Sequence, residues 1–213
     1  MGLLQGRREG AAVRIVVVGG AGTIGRRLVP LLGARGHDVV VAGRNSGEVR
    51  VELSSHESVE AMYREVGAVE GVVCIAAHGA MDEFETLTSD ALYENMRAKF
   101  FGQVDLVLTG QHHCADGASF TLTSGIFADE PWPHVTGGGV ISGALHSFVL
   151  SAAIELPRKM RVNVVSPTMV GDSVDAFAEY FPGMRPVPMN ELVDHYLHCI
   201  EGDDTGQIIR AYG

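Results

Sequence analysis

Residues 13–36, VRIVVVGGAGTIGRRLVPLLGARG, decide the fold. Val13, Ile15, Val16, Val17 and Val18 make the near-continuous β-branched run of a parallel strand buried on both faces. Gly19, Gly22 and Gly25 follow it as G-x-x-G-x-x-G, and a helical stretch closed by Gly36 comes next. Glycine serves where the chain turns sharply, where backbone approaches a phosphate, and where a helix packs tightly on its strand. The amides around Thr23 and Ile24 open that helix and face an anion. A plain strand-to-helix turn also favours glycine, but strand, spacing and helix together predict a dinucleotide pyrophosphate site.

Outward from this turn, residues 38–42 read as a second strand and 48–53 as a third, with a link from Gly43 to Gly47 too short for a helix. The spacing of Val59, Met62, Tyr63 and Val66 predicts a helix over 56–66. Strands at 71–77, 118–124, 161–166 and 207–212 then alternate with helices at 89–109, 139–156 and 190–201. Such alternation with short connections predicts an α/β chain, a Rossmann-type doubly wound parallel sheet with its ligand at the carboxyl ends of the strands. At 213 residues with no linker-like break, the chain reads as a single domain over 13–213. An N-terminal extension over 1–12 is expected to be mobile.

A formal net charge of −10, with two lysines and fourteen arginines, leaves too few cations for a polyanion-binding surface. The expected partner is therefore a small-molecule substrate, with no nucleic acid and no membrane. Three cysteines form no disulfide framework and fit a reduced, cytoplasmic protein. The opening residues lack the apolar core of a signal peptide, and no later run is long enough to span a bilayer. His195, His198 and Cys199 share helical spacing, and His112, His113 and Cys114 form a small cluster. Neither has a matching second ligand group, so no metal is expected.

Five stretches in order resemble the short-chain dehydrogenase/reductase family, over nearly all of Val13–Gly213. The glycine turn is the first. VVCIAAHG (72–79) stands where the family has an apolar strand ending in Asn-Asn-Ala-Gly, and SFTLTSG (119–125) where its active-site serine sits. SAAIELPRKMRVNVVSPTMV (151–170) looks like its helix end and coenzyme-closing Ser-Pro-Gly turn, and TGQIIRAYG (205–213) like its closing Thr-Gly-Gln strand. The chain is also similar to a compact bacterial subgroup of about this length. The resemblance implies a nicotinamide coenzyme held by Gly19, Gly22, Thr23, Ile24 and Gly25 and lined by Leu53, Ala76, Ala77, Pro167 and Val170. It also implies a homodimer or homotetramer, packed through helices 89–109 and 139–156, where small residues allow close approach.

Coenzyme choice follows from position, because the acidic residue that binds the ribose of NAD stands about 20 residues after the turn. Here that place reads Ala42-Gly43-Arg44-Asn45-Ser46. Arg44 can pair with a 2′-phosphate, and Asn45 and Ser46 stand beside it, so NADP(H) is favoured over NAD(H). The competing reading makes Arg44 a solvated turn residue. Glu52 either neighbours the adenine or is a surface carboxylate.

The family's proton relay is a tyrosine four residues ahead of a lysine, neighbours on one helical face. Tyr63, Tyr93, Tyr180 and Tyr196 lack a lysine at that spacing, and Tyr212 is too near the end. Counting back from Ala153–Leu156 puts Gly138 at the tyrosine position and Ser142 at the lysine position. Three candidate catalysts remain. Ser124 stands at the family's serine and either holds a substrate carbonyl or is satisfied by local backbone. Aligning FFGQ (100–103) with the family's Asn-Leu-x-Gly motif puts Lys99 at its catalytic asparagine, as a pocket ammonium or a snorkelling surface lysine. His146 lies four residues beyond Ser142 on the same face and titrates near neutrality. Tyr180, in the lid-like segment 172–188, is a further proton-donor candidate, and the loop Asp129–His134 borders the pocket. The reading is an NADP(H)-binding oxidoreductase of a small carbonyl or alcohol with a non-standard site. Its rivals are a non-redox enzyme on the same scaffold and a catalytically silent NADP(H)-binding sensor.

Overall fold

The computed structural model describes residues 12–76, 81–171 and 179–213. The expectations for residues 1–11, for Ala77 and for 172–178 lie outside the described residues.

The elements alternate as the hydrophobic pattern predicts. They are β1 (Arg14–Val18), α1 (Gly25–Ala34), β2 (Asp38–Gly43), β3 (Val49–Arg50), α2 (His56–Val66) and β4 (Gly71–Cys74). Next come α3 (Ser89–Met96), a π-helical turn (Arg97–Phe101), α4 (Gly102–His113), β5 (Ser119–Thr123) and a 3₁₀ turn (Ile126–Ala128). The chain ends with α5 (Thr136–Ala152), β6 (Arg161–Pro167), α6 (Met189–Glu201) and β7 (Ile208–Ala211). All seven strands pair in parallel in the order β3-β2-β1-β4-β5-β6-β7. Strand order reverses between β1 and β4, and a doubly wound sheet opens its ligand crevice at that switch point.

Alternation along β1 builds both layers of the core. Val16 and Val18 pack with Val59, Met62, Leu106, Leu145 and Val149 of α2, α4 and α5. Ile15 and Val17 pack on the other face with Leu28, Leu32, Leu192 and Ile200 of α1 and α6. Among the described residues, no helix is long and apolar enough to cross a membrane.

Several boundaries differ from expectation, and the helix expected over 139–156 runs instead over Thr136–Ala152. The strand expected over 48–53 is confined to Val49–Arg50, because the link from β2 is a tight turn rather than the long crossover that parallel strands need. Gly47 takes φ +99 there, and any Cβ on it would lie 2.5 Å from the Val41 carbonyl oxygen. The strand expected over 71–77 pairs with β1 only from Ile15↔Gly71 to Val18↔Cys74, since β1 itself ends at the glycine turn. The continuous helix expected over 89–109 is broken by the π turn and runs on to His113.

Candidate active site

The glycine turn forms the floor of the switch-point crevice. Gly19 takes φ +88, and a Cβ on it would lie 2.7 Å from the Ala76 amide, so β1 and the end of β4 approach through glycine alone. A Cβ on Gly25 would overlap the carbonyl of Gly20, and one on Gly22 would stand 3.2 Å from the Gly19 oxygen. No side chain caps α1 at Ile24 and its first turn carries no acidic residue, while Arg26 and Arg27 follow directly. Amides of an uncapped first turn, next to cations and a cradle that any Cβ would fill, fit a diphosphate.

Beside this floor, Arg44, Asn45 and Ser46 are exposed at the carboxyl end of β2. The Arg44 guanidinium stands 3.9 Å from Glu52 in a loose, solvated pair. Leu53 is buried, Ala76 is half-buried just beyond β4, Pro167 ends β6 and Val170 follows it. Val170 bridges to Val187, whose amide donates to the Met169 carbonyl, so the Pro167–Val170 turn is tied down.

Ser124 and His146 come together. Ser124 leaves β5 at its carboxyl end and its Oγ lies 2.9 Å from His146 Nε2, which α5 carries inward. Burial holds His146 below the usual histidine value, opposed by the nearby carboxylate of Asp129. At neutral pH the imidazole is uncharged and can accept a proton. Asp129 is itself clamped from the last strand and tail: Arg210 Nε donates to it at 2.8 Å and the Tyr212 hydroxyl at 2.5 Å. Those bonds, Arg210's first, keep the carboxyl below the ordinary range. The Tyr212 phenol is pushed up to about 12 by burial and by its bond to Asp129.

Lys99 stands in the π turn, half-buried, and burial lowers its amine to about 8 against the opposing pull of Asp82. Asp82 is 5 % exposed. It accepts from the Gly137 amide at the start of α5 and from Asn95 Nδ2 at 3.1 Å. Tyr180 is exposed, and its part in the site is a backbone carbonyl that accepts from Trp132 Nε1 at 3.2 Å.

Residues 5–187 match the family model described as enoyl-(acyl carrier protein) reductase. The chain belongs to the short-chain dehydrogenase/reductase family. Among solved structures, it is similar to the protein lin1944 from Listeria innocua, with 33% identity over 94% of this chain and 100% of that one, at a TM-score of 0.91. The fold is shared with a small-chain dehydrogenase in complex with NADPH, at 24% identity, 94% and 96% coverage and a TM-score of 0.81. It is shared also with a short-chain type dehydrogenase/reductase from Mycobacterium ulcerans, at 19% identity, 92% and 87% coverage and a TM-score of 0.80. No curated protein matches the chain.

Against the family's usual relay, α5 presents Gly138, Ser142 and His146 in successive turns toward the segment after β5. A Cβ on Gly138 would lie 3.3 Å from the Phe127 ring, and one on Gly125 would lie 3.6 Å from Ser142 Oγ. Phe127 in turn packs on Phe181, which Trp132 meets edge-on. Asp82 and Arg210 escaped sequence reasoning, as did the pairing of Asp129 with Arg210 and Tyr212: the partners lie 55 to 83 positions apart, and no local spacing signals such pairs. Among the described residues, no group of three or more His, Cys, Asp or Glu is placed to hold a metal ion.

Proposed function

We propose that this family member is an NADP(H)-dependent oxidoreductase of a small carbonyl or alcohol, in which Ser124 and His146 carry the proton and Lys99 supplies positive charge. The 2.9 Å contact of Ser124 with His146, at the sheet edge that holds the glycine cradle, carries this reading. The nicotinamide, when bound, supplies or accepts the hydride. Gly19, Gly22, Thr23, Ile24 and Gly25 hold the diphosphate, and Arg44 with Asn45 and Ser46 holds the 2′-phosphate. Leu53, Ala76, Pro167 and Val170 line the rest of the coenzyme site. For carbonyl reduction, the Ser124 hydroxyl donates to the substrate oxygen, its proton passes there, and protonated His146 replaces it from Nε2 and becomes neutral. Alcohol oxidation runs the same transfers backward, with neutral His146 as base. Exposed Phe101 of the π turn, Leu108 of α4, and Val140 and Leu150 of α5 support a homodimer or homotetramer packed through the 89–109 stretch and α5.

The test is NADPH consumption against a panel of aldehydes and ketones, with product analysis and calorimetric titration of NADPH and NADH. Coupled loss of NADPH and carbonyl is the expected result. Tight binding without turnover would instead favour a silent sensor, and product formed with NADPH unchanged a non-redox enzyme.

A further inference from the structure

We propose that Gln103 is a positioning residue that fixes Lys99 relative to Ser124, by tying the π turn that carries one to the strand end that carries the other. The inference rests on the catalytic reading of those two residues given above.

Gln103 is the second residue of α4 and is 2 % exposed. Its carboxamide is engaged at both ends. Nε2 donates to the Lys99 carbonyl at 2.7 Å and to the Thr123 carbonyl at 2.9 Å, and Oε1 accepts from the Thr123 amide at 2.9 Å. Thr123 is the last residue of β5, and Ser124 follows it directly. On the β4 side the ladder ends at Val73↔Thr121, so Thr123 has no strand neighbour there, and the Gln103 carboxamide stands in for one. Thr123 uses its own hydroxyl to hold the Cys74 carbonyl at 2.6 Å, which fixes the end of β4 to the same point.

The π turn needs such a tether. Its closing bond runs from the Gly102 amide to the Arg97 carbonyl, one residue longer than an α-helical step, and π insertions persist where surrounding contacts hold them. One flank is held by close approach, since a Cβ on Gly102 would lie 2.5 Å from the Leu53 carbonyl oxygen. Gln103, the next residue, reaches back into the turn itself through the Lys99 carbonyl. Relaxing the insertion to an α-helix would rotate the residues before it by about 100°, one residue's share of a turn, and swing Lys99 off its present direction. Asp82 is the charge that reaches Lys99, and it is held by the Gly137 amide at the start of α5 as well as by Asn95 of α3.

The test uses the scarcity of lysine, because Lys99 has only Lys159 for company. Reductive methylation with ¹³C-formaldehyde gives two lysine signals, assigned with Lys159→Arg, whose shifts are followed against pH in the coenzyme-free protein. In the unaltered protein the expected result is a Lys99 signal that titrates near 8. In Gln103→Leu, and in Gln103→Asn, whose shorter arm cannot reach both Lys99 and Thr123, it moves up by one pH unit or more. A folded variant whose Lys99 titrates where it did before overturns the proposal. So does failure of both variants to fold, since the amide would then serve the fold rather than the site. The readout needs no turnover, so a protein that proved inactive with every carbonyl would sink the catalytic reading while leaving the Gln103 result legible.

Discussion

Tyr212 meets Asp129 at 2.5 Å across 83 positions of sequence, so the penultimate residue pins the loop that borders Ser124 and His146. Arg210 grips the same carboxylate through Nε and Nη2 at 2.8 and 3.2 Å. The folded state thus depresses the carboxyl of Asp129. A depressed carboxyl contributes stability above its unfolded value and loses it as pH falls through the folded one. Asp129→Asn should therefore cost about 1 kcal/mol at neutral pH, the scale of a solvated charge-assisted clamp. The gap to the unaltered protein should close below about pH 4, the ordinary carboxylate range. Urea midpoints measured from pH 3 to 7.5 check it, and a gap that stayed constant across that range would refute the clamp as a charge effect.

His146 gives a second pH window with its own sign. Its folded value lies below the ordinary one because of burial, so the unfolded chain takes up a proton that the folded chain resists. Stability is complete above about pH 6.5 and declines as pH falls from there toward the folded value. The proposed chemistry follows the same group: alcohol oxidation should rise with pH through that value and level off, and carbonyl reduction should do the reverse. His146→Gln should flatten both profiles and lower kcat about a hundredfold or more, the usual worth of a positioned acid or base. Rate profiles in both directions decide it.

Arg44 projects from the β2 end with 70% of its side chain exposed and, among the described residues, only the loose Glu52 contact to hold it. Its loss should leave stability nearly unchanged, because exposed pairs of this kind contribute little. Binding should respond differently. Arg44→Ala removes the guanidinium from the 2′-phosphate and should weaken NADPH about tenfold while leaving NADH alone, a difference of about 1.4 kcal/mol. Calorimetry with both coenzymes at low and high salt is the measurement. Equal weakening of the two would remove Arg44 from the 2′-phosphate.

How much of this was legible beforehand varies with the range of the signal. The apolar runs and the glycine turn are local, and from them the alternation of strands and helices, the parallel sheet and the α2 boundaries His56–Val66 could be read. The π turn could not: one inserted residue shifts helical phase without changing composition, so 89–109 reads as one helix. The short β3 depends on the tight return from Gly43 to Glu48, where Gly47 at positive φ was the clue. His146 was reachable because Ser142 fixed its face of the helix. Its contact with Ser124 and the Asp129 clamp depend on how helix and final strand dock, which no spacing along the chain encodes. Tyr212, set aside because it lies too near the end for a Tyr-x-x-x-Lys pair, does not form one, and it binds Asp129 instead.

Two glycines of α1 provide a matched test of the cradle. Gly25 begins the helix where a Cβ would overlap the Gly20 carbonyl group, whereas Gly33, in the last turn of the same helix, has nothing within 4 Å of where its Cβ would point. Gly33→Ala meets no clash and restricts the unfolded chain, so it should stabilise by about 0.5–1 kcal/mol and leave coenzyme affinity unchanged. Gly25→Ala must push the turn away from β1, at a cost of about 3 kcal/mol as in an overpacked core. Because the displaced backbone is the one that would line the diphosphate, NADPH affinity should fall with it. The pair separates two ideas that a single variant would confuse. Lost affinity in both would mean that the helix as a whole matters, and retained affinity in Gly25→Ala would mean that the diphosphate sits elsewhere.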